Sequence, residues 1–185
     1  DVGTLAGSCF GSIHEHSVSE AIKYFPDDII LGNVLMTMNS PKYLQQDKNE
    51  AIKLVRKLST QLKSRYAVTP RFAVTTHPDV MNKCATLGLK NNSFIQSHLC
   101  ETKEEIEFVL DIFSKMPGFE KVKSYTEVYE KSGVLGPKTI MGHGIHLNNN
   151  ELKVLKKTNT ALAHCPSSNA PVKQLGLGSG LFDFE

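Results

Sequence analysis

The sequence predicts an α/β fold in which parallel strands alternate with crossover helices. Short apolar runs bounded by turn residues alternate with amphipathic segments about six times along the chain. No Gly-x-Gly-x-x-Gly follows an early strand, so a dinucleotide-binding version of this fold lacks its phosphate-binding sequence. The fold class is therefore a layered sheet with helices, without the sequence signature of a nucleotide cofactor.

The first half of the chain shows three strand and helix pairs. Residues 47–66 form the clearest helix, because Ile52, Val55, Leu58 and Leu62 share one face. Pro78 suits the first turn of the next helix and Gly88 its end. The predicted elements are strand 7–13, helix 17–25, strand 29–38, helix 47–66, strand 67–74 with Pro70 interrupting it, and helix 78–89.

The second half repeats the alternation. A buried strand is predicted to stop at His98, and Glu101 is predicted to open a helix that Pro117-Gly118 follows. The predicted elements are strand 94–98, helix 101–115, helix 125–131, strand 139–143, helix 148–156, strand 160–165 and a loop at 166–169.

Length and composition predict a single soluble domain over residues 1–185, long enough to bury a core. The net charge of +2 gives no reason to expect nucleic acid or an anionic membrane surface as a partner. No apolar run approaches the roughly 20 residues of a membrane span, and no signal-peptide pattern is visible. The four cysteines form no Cys-x-x-Cys pair, which is typical of reduced thiols in a cytoplasmic protein.

Polar side chains stand where three of the predicted strands end. His98 and His143 end two of them, and Arg71-Phe72 follows Pro70 in a third. In (β/α)8 barrels the carboxyl ends of the strands carry the catalytic groups. Two imidazoles could bind zinc, and Glu101 could exchange protons beside it.

Spacing alone is equally compatible with a structural role for these residues. Two buried, hydrogen-bonded histidines that only support the fold would account as well for His98 and His143. For Arg71, a surface arginine beside a core phenylalanine is the simpler interpretation. Residue chemistry by itself therefore does not choose between a metal site and a structural cluster.

Four motifs occur in one order and carry a family resemblance that runs from about residue 4 to residue 176. They are Thr69-Pro70-Arg71-Phe72, Gln96-Ser97-His98-x-x-Glu101, Gly142-His143-Gly144 and Ala163-His164-Cys165-Pro166-x-Ser168-Asn169. Together they resemble the guanine deaminases of the amidohydrolase superfamily. The histidine motifs are shared across many superfamily deaminases and chlorohydrolases, whereas Thr-Pro-Arg-Phe is the element more specific to guanine.

The resemblance implies a metal-dependent hydrolase with a distorted (β/α)8 barrel and Zn²⁺ at its C-terminal mouth. His98 and His143 would match zinc ligands on the fifth and sixth strands, and Glu101 the proton shuttle. Arg71 and Phe72 would match the residues that hold the purine. The implied reaction is hydrolytic deamination of guanine to xanthine and ammonia in purine catabolism. The implied protein is cytoplasmic and, at full length, a homodimer.

The sequence also departs from the family. A His-x-His pair on strand one and an aspartate ligand after strand eight have no match, so we expect a partial barrel covering strands 2 to 7 that is inactive by itself. His14-Glu15-His16 has the His-x-His form, but counting strands from it would place His98 on the fourth strand rather than the fifth. We therefore do not expect His14 or His16 to be ligands, nor His146.

Two alternatives follow from the same motifs. One is an amidohydrolase acting on another amino-heterocycle, such as adenine, cytosine or a triazine. The other is a non-catalytic relative, which the unmatched ligands favour and the retained His98, Glu101, His143 and Arg71 oppose.

Overall fold

The computed structural model describes residues 4–170 of the chain. It divides into two compact units. The first comprises the residues up to Gln96 together with Ser132–Val134, and the second comprises Ser97–Lys131 and the residues from Leu135 onward.

Strands and helices alternate along the described residues, as the sequence predicts. The strands are β1 Gly7–Phe10, β2 Ile29–Gly32, β3 Val34–Leu35, β4 Ala67–Pro70, β5 Phe94–Leu99, β6 Thr139–His143 and β7 Ala161–Ala163. The helices are α1 Glu15–Ala21, α2 Lys48–Leu62, α3 Pro78–Lys90, α4 Lys103–Ser114, α5 Tyr125–Lys131, α6 Asn149–Thr158 and α7 Pro166–Asn169. The pairs β1–β2, β3–β4, β4–β5 and β6–β7 are all parallel, so the predicted fold class is confirmed.

Strands of the first unit pack unusually closely around one glycine. In the first unit β1 pairs with β2, β3 with β4, and β4 with the first residues of β5. A Cβ at Gly32 would lie 1.9 Å from the Ala67 carbonyl oxygen and 2.1 Å from Thr69 Oγ1. Only glycine allows this approach, because a side chain would collide with the β4 backbone.

Two buried polar side chains of the first unit, Tyr66 and Gln96, hydrogen-bond to groups on other strands or strand connections. The Tyr66 hydroxyl donates to Asn33 Oδ1 at 2.6 Å, and burial raises the pKa of Tyr66 well above its ordinary value. Gln96 donates from Nε2 to the Cys9 carbonyl at 2.8 Å and to Thr69 Oγ1 at 3.0 Å. A buried amide that satisfies several partners fixes the relative register of the strands that supply them.

Strands of the second unit run from the last three residues of β5 to β6 and β7. β5 and β6 are neighbours in the sheet, and Ile140, Met141 and Gly142 of β6 lie opposite Ala161, Leu162 and Ala163 of β7. Helix α6 begins with a capping box in which the Asn148 and Glu151 side chains each accept from the other residue's backbone N–H. This reciprocal cap fixes where the connection after β6 turns back along the sheet.

Several local features differ from the sequence prediction: the predicted strand 7–13 ends at Phe10, and the predicted helix 17–25 spans Glu15–Ala21. The predicted strand 29–38 is split at Asn33, whose side chain pairs with Tyr66. The strand predicted to run to residue 74 ends at Pro70. Residues 166–169 form a helical turn rather than a loop. Glu101 precedes α4 instead of opening it, because the Thr102 side chain caps that helix by accepting from the Glu105 N–H at 3.1 Å.

Two general expectations about the chain concern its thiols and its relation to membranes. All four cysteines lie within residues 4–170 and are free thiols. Within the same residues no helix is long and apolar enough to cross a membrane.

Candidate active site

Two histidines predicted as metal ligands lie side by side in the second unit. His98 is the fifth residue of β5 and His143 is the last residue of β6. Their imidazole rings are stacked, with centroids 5.3 Å apart and planes inclined by 21°. The neighbouring strands β5 and β6 thus bring both rings close together, as the pattern of strand ends predicts.

His143 is held from two directions. Its Nδ1 is 3.1 Å from Asn169 Oδ1 and 3.3 Å from Glu101 Oε1, and its side chain is only 6% exposed. Both neighbouring atoms are hydrogen-bond acceptors, so they favour the tautomer that carries its proton on Nδ1. That tautomer leaves the Nε2 lone pair as the available donor for a metal.

The backbone turns sharply at both strand ends. Cys100 has φ 51° and His143 has φ 73°, which are unusual values for residues other than glycine. The Gly144 N–H donates to the Leu99 carbonyl at 2.8 Å, and the His146 N–H donates to the Cys100 carbonyl at 3.1 Å. Hydrogen bonds between the two turns therefore offset the cost of these conformations and hold the turns together.

Glu101 lies between the end of β5 and the start of α4. Its side chain is 17% exposed, and its carboxylate is within reach of His143. Its backbone N–H donates to Glu105 Oε2 at 2.9 Å, while Glu105 Oε1 accepts from the Tyr125 hydroxyl at 3.1 Å. Burial raises the pKa of Glu105 despite these hydrogen bonds, and the nearby Glu101 carboxylate raises it further.

The raised pKa of Glu105 predicts a pH-dependent contribution to stability. Between its ordinary value of 4.5 and its higher pKa in the folded chain, the folded state binds the proton more tightly than the unfolded state. The free energy of unfolding must therefore fall as pH rises through this window. We expect the difference in unfolding free energy between the unchanged chain and Glu105→Gln, measured with urea, to decrease as pH rises from 4.5. The exposed Glu104→Gln on the same helix is the control, and an equal slope for both variants would contradict the prediction.

Arg71 and Phe72, the predicted substrate residues, belong to the first unit and directly follow β4. Arg71 is exposed, Phe72 is half-buried, and the guanidinium carbon lies 4.6 Å from the centroid of the Phe72 ring. The guanidinium covers one face of the phenyl ring, a cation–π arrangement that restrains the arginine. The pair therefore presents a planar group rich in hydrogen-bond donors beside an aromatic ring.

Five other histidines, at positions 14, 16, 77, 146 and 164, were not predicted as metal ligands. His77 is the N-cap of α3. His14 is the N-cap of α1 and His16 lies in its first turn, and both are exposed. The His-x-His sequence at this point therefore belongs to a helix start rather than to a strand, in agreement with the strand count. His146 follows β6 in the loop, and His164 follows β7.

The resemblance implies a zinc ion. The two histidines have the right chemistry to bind it, but they are too few to form a complete catalytic site. The chemistry fits, because the two imidazoles are adjacent and the contacts of His143 are made through Nδ1, which favours the tautomer with its lone pair on Nε2. The number falls short, because among residues 4–170 no group of three His, Cys, Asp or Glu side chains could hold a metal ion. A catalytic zinc usually takes three protein ligands, so these residues supply part of such a site.

Several residues of the site were not predicted as functional from the sequence. Asn169 belongs to one of the four motifs, but its contact with His143 Nδ1 joins residues 26 positions apart. Tyr129 and Glu105 reach the backbone on either side of the turn after His98. Tyr125 and Tyr129 are four residues apart on α5. This spacing indicates that they share one face of the helix, but it does not indicate which groups they contact.

The chain is similar to known proteins over almost its whole length. Residues 12–184 match the model of the amidohydrolase family. Guanine deaminase from Rattus norvegicus is 34% identical over 191 aligned residues, which cover 98% of this chain and 40% of that protein. The chain thus spans about 40% of the length of the curated relatives that it matches.

Solved structures show the same likeness in the fold. Guanine deaminase from C. acetobutylicum, solved with guanine in its active site, superposes with a TM-score of 0.84 at 29% identity and covers 97% of this chain and 42% of that one. Atrazine chlorohydrolase from Arthrobacter aurescens, solved with zinc, superposes at 0.80 with 13% identity, covering 97% and 42%, and shares the fold alone. The predicted fold, an α/β barrel segment, is confirmed by these likenesses, and the family match over residues 12–184 shows that this chain belongs to the amidohydrolase family.

Proposed function

We propose that the protein containing this chain is a guanine deaminase. It hydrolyses the exocyclic C–N bond of guanine: a C–O bond forms from water, ammonia leaves, and xanthine is the product. The observation that carries the proposal is the pair of stacked histidines with the Glu101 carboxylate 3.3 Å from one of them. Relatives named guanine deaminase, such as those from Rattus norvegicus and Escherichia coli at 34% and 32% identity, support the choice of substrate.

His98 and His143 are the residues that would hold zinc. Neutral imidazole nitrogen is a preferred ligand of this ion, and Asn169 orients the ring of His143 through Nδ1. When bound, zinc supplies Lewis acidity that lowers the pKa of the water it binds to about 7. Because the described residues supply two imidazoles rather than three ligands, we expect little activity from the 185-residue chain by itself.

Glu101 is the proposed acid and base. A carboxylate can accept a proton from water and deliver it to a ring nitrogen, which makes the ring carbon more electrophilic. It can then transfer a proton to the amino group, which leaves as ammonia. Its position just before α4 and its low exposure keep it close to His143. The carboxylate is thereby placed near the reacting groups without being itself a ligand of the metal.

Arg71 and Phe72 are the proposed substrate residues. The guanidinium offers several N–H donors in a plane, which suits the carbonyl oxygen and ring nitrogen of guanine. Stacking on Phe72 restrains the Arg71 side chain before substrate binds, which lowers the entropy cost of binding. Adenine lacks the carbonyl oxygen, so this pair favours guanine over adenine.

Replacing Arg71 with Ala is expected to raise KM for guanine by about 10- to 100-fold, since charged hydrogen bonds to a ligand are worth roughly 1.5–3 kcal/mol. The measurement is guanine consumption followed by ultraviolet absorbance, using the longest natural chain that contains residues 1–185. Arg56→Ala, an exposed arginine on α2, is the matched control. An unchanged KM in Arg71→Ala would remove Arg71 from the proposed site and favour an amidohydrolase with another amino-heterocycle as substrate.

The cellular setting is proposed from the chemistry of the substrate and of the thiols. A free base such as guanine arises inside cells, and four free thiols suit a reducing compartment, so we propose a cytoplasmic enzyme. We also propose a homodimer for the longest natural chain. Light scattering of that chain tests the second proposal, which a monomer would contradict.

A further inference from the structure

The turn that carries both His98 and Glu101 is held by buried groups from two helices. Tyr129 of α5 donates its hydroxyl to the His98 carbonyl at 2.8 Å, at one end of the turn. Glu105 of α4 accepts the Glu101 N–H at 2.9 Å, at the other end. The turn between these two anchors includes Cys100 with its positive φ of 51°.

Two tyrosines connect the anchors. The Tyr125 and Tyr129 rings are stacked, with centroids 5.2 Å apart and planes inclined by 18°, and both side chains are fully buried. The Tyr125 hydroxyl donates to Glu105 Oε1 at 3.1 Å and lies 3.3 Å from the Tyr129 hydroxyl. The hydroxyl of Ser97, also fully buried, lies 2.7 Å from that of Tyr129. Packing and hydrogen bonds thus join the two helices to both ends of the turn from His98 to Glu101.

This arrangement exceeds what is needed to attach α5 to the sheet. A buried apolar residue such as Val128 already packs this helix, whereas the hydroxyls place polar groups in the interior, where each requires a partner. Here the Tyr129 hydroxyl donates to the His98 backbone carbonyl, and the Tyr125 hydroxyl donates to the Glu105 carboxylate, which in turn accepts the Glu101 backbone N–H. We propose that Tyr129, linked through Tyr125 to Glu105, is a positioning residue that sets the His98 imidazole and the Glu101 carboxylate relative to His143.

The inference rests on the proposed function for its kinetic consequence, but its structural consequence can be measured separately. Removing the Tyr129 hydroxyl takes one hydrogen bond from the His98 carbonyl and should allow the His98 ring to move relative to His143. Residues that orient a metal ligand indirectly typically change metal affinity by about 10- to 100-fold when they are substituted. The side chains proposed to bind guanine belong to other elements, so KM should change little.

Tyr129→Phe is the test and Tyr66→Phe its matched control. Both tyrosines are fully buried, and both donate to an oxygen, Tyr129 to the His98 carbonyl and Tyr66 to Asn33 Oδ1. The two substitutions therefore remove the same group from similar surroundings and should lower stability similarly. Only one of them touches the turn that carries His98 and Glu101.

Three measurements on the longest natural chain containing residues 1–185 give the result. For Tyr129→Phe we expect zinc Kd to rise by about 10-fold or more, kcat for guanine to fall with KM unchanged, and the imidazole NMR signals of His98 in metal-free protein to shift. For Tyr66→Phe we expect none of these changes under conditions where the protein is folded. Equal zinc Kd and equal histidine spectra for the two variants would overturn the inference.

Two further outcomes keep the inference separate from the proposed function. If the unchanged protein binds zinc and Tyr129→Phe weakens that binding, but guanine is not consumed, the positioning role stands and the deaminase proposal fails. If guanine is consumed and Tyr129→Phe behaves like Tyr66→Phe, the positioning role fails and the deaminase proposal stands. Should Tyr129→Phe not fold, Tyr125→Phe removes the link to Glu105 instead, and an unchanged zinc Kd in that variant overturns the inference.

Discussion

Replacing Glu101 with Gln is expected to lower kcat for guanine by about 10²- to 10⁴-fold, the usual contribution of a positioned acid–base group. The amide has nearly the same shape and keeps an oxygen that can accept from His143 Nδ1, which Glu101 Oε1 approaches to 3.3 Å. It cannot take up and deliver a proton near neutral pH. The expected loss is therefore in turnover, with zinc binding and folding preserved.

The control for this experiment is Glu104→Gln, a little further along the chain. Glu104 lies in the first turn of α4 and is exposed, so the same chemical change there should leave kcat as it is. Ultraviolet absorbance of guanine measures kcat in both variants, and zinc content is determined in parallel. Unchanged turnover in Glu101→Gln would show that another group transfers the proton.

Replacing Gly32 with Ala is expected to lower the free energy of unfolding by about 3 kcal/mol or more, at the upper end for overpacking in a core. The added Cβ would lie 1.9 Å from the Ala67 carbonyl oxygen and 2.1 Å from Thr69 Oγ1. The first of these atoms is backbone in β4 and cannot rotate away. Relief therefore requires β2 and β4 to separate, which breaks contacts along both strands.

Gly136→Ala is the matched control, because a Cβ there meets no atom within 4 Å and its φ is not in the left-handed region. We expect the free energy of unfolding of Gly136→Ala to lie within about 1 kcal/mol of that of the unchanged chain, since alanine also restricts the unfolded state. Urea unfolding followed by circular dichroism measures both. If Gly32→Ala and Gly136→Ala had similar urea midpoints of unfolding, the strands around Gly32 would have to be more deformable than their close spacing indicates.

The strand ends are the reason that part of the site could be predicted from the sequence. His98 and His143 end apolar runs, and parallel strands bring such ends together, so hydrophobic pattern and topology were sufficient to pair them. Local chemistry also placed the starts of α2, α3 and α5 within a residue or two. The bounds of β6 were predicted correctly for the same reason.

Contacts between residues distant in sequence account for what could not be predicted. The pairing of Tyr66 with Asn33 splits a strand that looks continuous by composition. Tyr129 reaches a backbone carbonyl 31 residues away, and nothing in local sequence indicates which oxygen a buried hydroxyl will meet. The helical turn at 166–169 ends with Asn169 on His143, a contact that depends on β6 and β7 being paired.

These contacts change how the site is understood. In the proposed site His98, Glu101 and His143 supply the reactive groups, while another motif residue and two residues outside the motifs hold them in place. Asn169 orients His143, and Tyr129 and Glu105 hold the turn after His98. Substitutions at such positions should affect metal affinity and turnover more than substrate binding, which separates them from Arg71.

The most direct test of the central claim is guanine consumption by the longest natural chain that contains residues 1–185, with zinc supplied and with His98→Ala and His143→Ala as variants. The claim predicts turnover in the unchanged protein and a loss of both turnover and bound zinc in each variant, with folding retained. Guanine consumption that persists in both variants, or none in the zinc-loaded unchanged protein, would contradict the assignment of these histidines to the active site of a guanine deaminase.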